Sequence, residues 1–98
     1  MKSKLVSIII PTYNSSKFIS ETIHSILNQT YQNFEIIVID DCSTDNTFSI
    51  LKKIKTQSNK TIKILKTHKN FGTGAGTRNL GIRSAKGDLI CFNDSDDL

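Results

Sequence analysis

Three aspartates crowd together near the end of the sequence, directly after an apolar run. The run Leu89–Phe92 reads LICF, and Asp94, Asp96 and Asp97 follow it at once. Carboxylates packed this closely repel one another unless a cation neutralises them. An Asp-x-Asp pair in extended backbone points both side chains the same way, which suits a hard divalent ion such as Mg²⁺ or Mn²⁺. The plainer alternative is a polar turn in which one Asp caps a following helix.

A second acidic pair, Asp40-Asp41, follows the apolar run FEIIVI at residues 34–39. One member can cap the next helix together with Ser43 or Asp45, because Asp is a good turn and capping residue. The other member can accept hydrogen bonds from a ligand, such as those of a base N–H or a ribose hydroxyl. Both roles stay open on the sequence alone.

Two further polar segments could contact the same ligand. Pro11-Thr12-Tyr13-Asn14 follows the first apolar run, and its tyrosine offers a ring face and a hydroxyl. The segment FGTGAGTRN (71–79) is rich in glycine, but its spacing is neither GxGxxG nor GxxxxGK[ST]. It is either a plain flexible loop or a loop that closes over a phosphate. In the second case Arg78 would lie near a diphosphate, which its planar cationic fork suits.

Alternating strands and helices must position these segments. Apolar runs predict strands at 5–10, 34–39, 61–65 and 89–92. Helical spacing predicts a first helix over about 16–28, a second capped by Asp45, and a weak third that ends near Ala85 with Gly87 as its C-cap. This βαβαβαβ order predicts an α/β fold, a Rossmann-like and mostly parallel sheet flanked by helices. Ligands bind such sheets at the carboxyl ends of the strands, where all four polar segments fall.

Size and composition narrow the class of protein. The chain has 98 residues, enough for one small domain, with 37% hydrophobic and 22% charged residues. Its apolar runs fall short of the roughly 18 residues of a membrane span, and its start lacks a signal cleavage site, so we predict a cytoplasmic protein. The net charge is +4, and seven lysines lie between positions 52 and 69. They predict a solvated helix face and loop rather than a nucleic-acid surface, because no aromatic residues interleave with them.

Four segments together resemble the N-terminal nucleotide-binding half of glycosyltransferase family 2, enzymes of the GT-A fold. They match in the family's order and spacing: VSIIIPTYN (6–14), SILNQTYQNFEIIVIDDCSTDNT (25–47), NFGTGAGTRNLGIRSAKGD (70–88) and ICFNDSDD (90–97). The resemblance implies a metal-dependent, inverting transferase of the hexosyltransferase type, which moves a sugar from a nucleotide diphosphate to an acceptor hydroxyl. It favours UDP as the nucleotide, a glycan or lipid-linked acceptor, and a role in bacterial polysaccharide or glycan biosynthesis. The full-length protein would then lie in the cytoplasm or at the inner face of the membrane.

The resemblance also assigns residues. The first turn and Asp41 hold the base, and the terminal cluster is the family's DXD motif, in which Asp96 binds the Mn²⁺ or Mg²⁺ that bridges the diphosphate. Cys42 stands where the family most often has Gly, and Asn93 where it usually has an apolar residue. The implied nucleotide contacts are Pro11, Thr12, Tyr13, Asn14, Asp41, Arg78, Asp94 and Ser95, and the implied metal ligands are Asp94 and Asp96.

The family's catalytic base and acceptor site come after the DXD motif, so the resemblance places no catalytic residue before Leu98. We therefore interpret residues 1–98 as the N-terminal nucleotide-sugar-binding part of a truncated GT-A domain, and predict that this chain alone has no transferase activity. One alternative is a nucleotidyltransferase, which usually carries a glycine-rich signature with Lys or Arg after its first strand, where this chain has PTYNSS. Another is a receiver-like Mg²⁺-binding module, which would want an Asp pair at that place.

Overall fold

The structure, a computed structural model, describes residues 4–67 and 74–93 and alternates strands with helices along the chain. The predicted α/β class and element order are confirmed. The strands are β1 (Val6–Thr12), β2 (Phe34–Asp40), β3 (Ile62–Lys66) and β4 (Leu89–Phe92), and the helices are α1 (Ile19–Leu27), α2 (Thr47–Gln57) and α3 (Gly74–Ser84). No helix in the described ranges is long and apolar enough to cross a membrane.

The four strands form one parallel sheet in the order β3-β2-β1-β4. From β1 the chain moves outward through β2 to β3, and it then returns to the other side of β1 to form β4. The strand order therefore reverses between β1 and β4. In open α/β sheets ligands bind in the crevice at such a reversal, outside the carboxyl ends of the strands. The sheet order thus marks one place for a site before any side chain is considered.

Both faces of the sheet are covered at the central strand β2, which explains why β2 reads as a continuous apolar run. All seven residues of β2 are buried, as expected for a central parallel strand. On one face of the sheet, strand residues pack against α1 and α2. This part of the core contains Ile8, Ile10, Ile36 and Val38 from the strands and Ile19, Ile23 and Leu51 from the helices. The face under α3 contains Ile9, Ile37 and Ile39, with Leu80 packed against them.

Helix α3 lies against the sheet at Gly81. A Cβ at that position would collide with Cγ2 of Ile9 and would come within 3.0 Å of Cδ1 of Ile39. The helix also includes Gly74 and Gly76, so the prediction of a glycine-rich loop was wrong for residues 74–79. A glycine costs a helix about 1 kcal/mol, and packing of α3 on the sheet offsets that cost. Residues 71–73 lie outside the described residues.

Strand β4 is present as predicted, but its side chains are not buried. Leu89, Ile90 and Phe92 are 51%, 44% and 44% exposed. In the described part of the chain β4 has one neighbouring strand, β1, and α3 packs on β1 and β2. An apolar run therefore identified the strand correctly and overestimated how much of it is covered.

The helix ends also differ from prediction in detail. Helix α1 begins at Ile19 rather than near residue 16, because the carbonyl of Ser15 accepts the N–H groups of Phe18 and Ile19 in a preceding turn. Gly87 lies beyond the end of α3 and does not cap it. Its N–H instead donates to Oγ of Ser7 at 2.8 Å, which ties the connection before β4 to the sheet.

Candidate functional site

The turns that follow β1 and β2 are bound to each other at the carboxyl end of the sheet. The N–H of Asp41 donates to the carbonyl of Thr12 at 2.9 Å. The N–H of Asn14 donates to Oγ of Ser43 at 2.9 Å, and the N–H of Thr44 donates to Oδ1 of Asn14 at 2.7 Å. The structure thus brings together the first two predicted segments. It also uses the Asn14 amide to hold the second turn in place.

Two residues of these turns adopt left-handed backbone, Asn14 with φ 48° and Cys42 with φ 61°. Asn is frequent in this region, whereas a residue such as Cys pays a steric penalty of about 1 kcal/mol. Cys42 stands where the family most often has Gly, and the turn does have positive φ at this position. Left-handed backbone at Cys42 turns the chain sharply just after Asp41.

The first turn offers both buried and exposed groups to a ligand. Thr12 is buried, Pro11 is half-buried, and Tyr13 is 47% exposed. Pro11 is two residues after Ile9 in β1, so it lies on the same face of the sheet as Ile9, the face covered by α3. An exposed tyrosine ring beside a turn is suited to lie against a flat base.

The two aspartates after β2 have different surroundings. Asp40 is fully buried, and its Oδ1 accepts both the N–H of Ser43, at 3.2 Å, and the Ser43 hydroxyl. Within the described ranges its Oδ2 has no hydrogen-bond partner. Asp40 therefore stabilises the turn. Because successive side chains of an extended chain point to opposite faces of the sheet, the carboxylate of Asp41 lies on the α3 face.

Asp41 meets a residue that the sequence analysis did not single out. The hydroxyl of Thr67 donates to Oδ1 of Asp41 at 3.0 Å, and the N–H of Thr67 donates to the carbonyl of Asp40 at 3.0 Å. Both side chains are buried. Thr67 is the first residue after β3, so the rule that polar residues at strand ends form the site would have found it.

Asp45 supports the second turn as an ionised group. Its Oδ1 accepts the N–H of Thr47, the first residue of α2, at 3.0 Å, and its Oδ2 accepts the N–H of Ser16 at 3.3 Å. Burial raises the pKa of the Asp45 carboxyl, but hydrogen bonds from Thr47 and Ser16 outweigh burial and hold the pKa below its ordinary value. Asp45 therefore accepts a hydrogen bond at the start of α2, although the N-cap position itself is occupied by Asn46 rather than by Asp45 as predicted.

Arg78 lies on α3 near β4, across the point where the strand order reverses. Its side chain is exposed, and its guanidinium carbon is 5.9 Å from the centre of the Phe92 ring. That distance is within the range of a cation–π contact. The predicted phosphate contact of Arg78 stays a prediction.

The terminal acidic cluster, with Asp94, Ser95 and Asp96, lies outside the described residues. Asn93 is the last described residue before it, and its N–H donates to the carbonyl of Ile9 at 2.9 Å. Asn93 therefore still lies beside β1. Within residues 4–67 and 74–93 no group of three His, Cys, Asp or Glu side chains could hold a metal ion.

A parallel sheet in the order β3-β2-β1-β4, flanked by helices, defines a Rossmann-like protein. The family model described as "Glycosyl transferase family 2" matches residues 7–98. The chain belongs to glycosyltransferase family 2, as the resemblance predicted. That membership sets aside the nucleotidyltransferase and receiver-like alternatives.

Three known proteins show what this chain is similar to. It is 47% identical over 95 residues to the UDP-Glc:alpha-D-GlcNAc-diphosphoundecaprenol beta-1,3-glucosyltransferase WfaP of Escherichia coli, covering 96% of this chain and 36% of that protein. The crystal structure of Staphylococcus aureus TarS 1-349 in complex with UDP superposes with a TM-score of 0.85 at 39% identity, covering 93% of this chain and 27% of that one. The mannosyltransferase PcManGT from Pyrobaculum calidifontis, in complex with GDP-Man and Mn²⁺, gives a TM-score of 0.89 at 28% identity, covering 97% and 28%.

These neighbours confirm the GT-A fold. The chain spans only 16% to 38% of the length of the first curated relatives that it matches. What the relatives bind or transfer therefore supports proposals about this chain rather than statements about it.

Proposed function

We propose that this chain is the nucleotide-sugar-binding part of a glycosyltransferase that moves a sugar from a nucleotide diphosphate to an acceptor hydroxyl. The observation that carries the proposal is the joining of the turns after β1 and β2, through the N–H of Asp41 and the carbonyl of Thr12. This contact fixes Tyr13 and Asp41 at the carboxyl end of the sheet, beside the reversal of strand order where ligands bind.

Uridine is the nucleoside that this arrangement fits best. A carboxylate accepts hydrogen bonds and donates none when it is ionised, so Asp41 selects a base edge that carries an N–H. The exposed Tyr13 ring and the half-buried Pro11 belong to the turn that binds the backbone of Asp41 through Thr12, and they would provide a flat surface for the base. The UDP in the TarS complex and the UDP-Glc in the name of WfaP support UDP, and the GDP-Man complex of PcManGT makes GDP the competing candidate.

We assign the diphosphate and the metal to the other side of the site. Arg78 would contact the phosphates with its cationic fork, and Ser95 and Asp94 would lie near the ribose. Asp94 and Asp96 would hold Mn²⁺ or Mg²⁺, because hard oxygen donors of this kind are the ligands those ions prefer. The ion would neutralise negative charge on the leaving nucleoside diphosphate, and the Mn²⁺ of the PcManGT complex supports its presence.

The rest of the reaction belongs to residues outside these 98. A single displacement with inversion needs a base that takes the proton from the acceptor hydroxyl, and we assign that role to none of the residues of this chain. We propose that the chain alone is inactive as a transferase. A glycan or lipid-linked acceptor is supported by the diphosphoundecaprenol in the name of WfaP. We also propose that the protein lies in the cytoplasm or at the inner face of the membrane.

The test is an amide NMR titration of the chain with UDP, with and without Mn²⁺. We expect UDP to shift the resonances of Tyr13, Asp41 and their neighbours, and Mn²⁺ to broaden resonances at residues 94–97. Asp41→Asn is the matched control, because it keeps the shape of the side chain and removes the charge that accepts the base N–H. A well-dispersed spectrum that does not respond to millimolar UDP would contradict the proposed function.

A further inference from the structure

We propose that Thr67 determines nucleobase specificity by orienting Asp41. The inference rests on the proposed function and adds to it a residue outside the four segments that carry the family resemblance. Thr67 would not contact the reacting atoms, so it is a positioning residue. Its hydroxyl would hold the Asp41 carboxylate in the orientation that accepts one imide N–H, the donor that uracil presents.

The contact between the two side chains is rigid at both ends. The hydroxyl of Thr67 lies 3.0 Å from Oδ1 of Asp41, and the side chains are only 6% and 7% exposed. The backbone of Thr67 is bound to Asp40, and the backbone of Asp41 is bound to Thr12. A threonine side chain is stiff at χ1 because it is β-branched. The hydroxyl therefore stays fixed relative to the sheet.

An Asp carboxylate needs such a constraint if it is to read a base edge. The χ2 torsion of Asp is broad and roughly two-fold, so the carboxylate plane is poorly defined by the side chain itself. A charge-assisted hydrogen bond to Oδ1 favours one plane and leaves one geometry for a ligand to match. Without the hydroxyl, we expect the orientation of the carboxylate to vary more and its preference among base edges to weaken.

The bases differ in the donors that they offer to that carboxylate. Uracil offers one imide N–H between two carbonyl acceptors. Guanine offers an N–H and an adjacent amino group, which a carboxylate accepts with both oxygens. Cytosine has an acceptor at the ring position where uracil has its N–H. Because the Thr67 hydroxyl already uses lone-pair capacity on Oδ1, the site favours a base with a single donor, and a mismatched donor or acceptor costs affinity.

A second buried pair of a hydroxyl and a carboxylate, Ser7 on β1 and Glu35 on β2, provides a control for loss of a buried hydroxyl. The hydroxyl of Ser7 donates to Oε2 of Glu35 at 2.6 Å, and both side chains are buried. This pair lies on the same face of the sheet as Asp41 and Thr67 but at the amino ends of the strands. Ser7→Ala therefore removes a similar hydrogen bond to a carboxylate, together with the acceptor of the Gly87 N–H, at the opposite end of the sheet from the proposed base site.

The experiment compares Thr67→Val, Thr67→Ser and Ser7→Ala by calorimetric titration with UDP, GDP and CDP in Mn²⁺. Thr67→Val keeps the shape of the side chain and removes the hydroxyl. We expect it to weaken UDP binding about tenfold and to bring the UDP-to-GDP affinity ratio closer to one. Thr67→Ser keeps the hydroxyl and should retain the wild-type ratio. Ser7→Ala should lower the melting temperature and leave the ratio unchanged.

Other outcomes would overturn the inference. Wild-type UDP affinity and base preference in Thr67→Val would do so, as would an equal change of the ratio in Ser7→Ala. In the background of Asp41→Asn, Thr67→Val should have no further effect on UDP affinity, and an additive effect would show that Thr67 does not act through Asp41. If Thr67→Val cannot be isolated, Thr67→Ala takes its place. Failure of the wild-type protein to bind UDP would instead refute the proposed function.

Discussion

Two buried carboxylates occupy opposite ends of the same face of β2, and the protein treats them differently. Glu35, at the amino end, is enclosed by protein donors. Oε2 of Glu35 accepts the Ser7 hydroxyl and, at 2.7 Å, the N–H of Lys86. Oε1 of Glu35 is 3.3 Å from Nζ of Lys63. This cluster joins β1, β2, β3 and the connection before β4.

Asp41, at the carboxyl end, accepts the neutral hydroxyl of Thr67, and its backbone N–H is bound to Thr12, next in sequence to the exposed Tyr13. A parallel sheet makes this division possible, because all its carboxyl ends meet at one edge and all its amino ends at the other. The same kind of side chain can therefore stabilise the fold at one edge and recognise a ligand at the other.

The largest expected effect tests the stabilising half of that comparison. Glu35→Ala leaves Lys63 without its carboxylate and leaves the Ser7 hydroxyl and the part-buried N–H of Lys86 without their acceptor. We expect the free energy of unfolding to fall by about 3 kcal/mol, because two hydrogen-bond donors lose their acceptor and Lys63 loses its ion-pair partner. Urea denaturation measures the change. The control is Asp41→Asn, which should cost about 1 kcal/mol or less in stability. Equal losses in the two variants would contradict the division between the two ends.

A second prediction concerns pH. Burial raises the pKa of the Glu35 carboxyl, but the hydrogen bonds from Ser7, Lys86 and Lys63 outweigh burial and hold the pKa below its ordinary value. A carboxyl group with a lowered pKa in the folded state stabilises the fold above its ordinary pKa, and this stabilisation is lost as the pH falls through the folded value.

We therefore expect the urea midpoint to drop as the pH falls below about 4.5. Glu35→Gln should show a flatter dependence than wild type in that range. Asp45, whose pKa is also lowered, contributes with the same sign, so some dependence remains in the variant. If the urea midpoint depends on pH equally in wild type and Glu35→Gln, folding does not lower the pKa of Glu35.

The smallest expected effect concerns the turn behind Asp41. Cys42 has φ 61°, and glycine adopts that conformation without a steric penalty. We expect Cys42→Gly to stabilise the protein by up to about 1 kcal/mol, measured by thermal unfolding. Ser43→Gly, next to it, is the control, since it removes the hydroxyl that binds Asp40 and should destabilise. A loss of stability in Cys42→Gly would show that the turn depends on the Cys side chain.

The sequence predicted features that depend on local pattern. Apolar runs located every strand that the structure describes, and polar residues after β1 and β2 located the turns that the structure joins. Glu35 was missed because it stands inside the run FEIIVI, and its partners Ser7 and Lys86 are 28 and 51 residues away in sequence. Pairing across such distances leaves no periodic signal.

Thr67 was missed for a different reason. A single Thr after a short strand resembles many surface threonines until the fold places it beside Asp41. The beginning of α3 was mispredicted because Gly74 and Gly76 favour loops by propensity. Their place in a helix depends on the contact of Gly81 with Ile9 and Ile39, which only the tertiary structure reveals.

The two outer strands of the described sheet have different consequences for handling the protein at high concentration. Strand β3 carries Lys63 and Lys66, and charged lysines on an outer strand discourage pairing with another molecule. Strand β4 has no charged side chain, and Leu89, Ile90 and Phe92 are exposed along it. Such a strand favours edge-to-edge association in solution. A lysine in place of Ile90 would give β4 the protection that β3 already has, and it would make concentrated samples of this chain easier to keep monomeric.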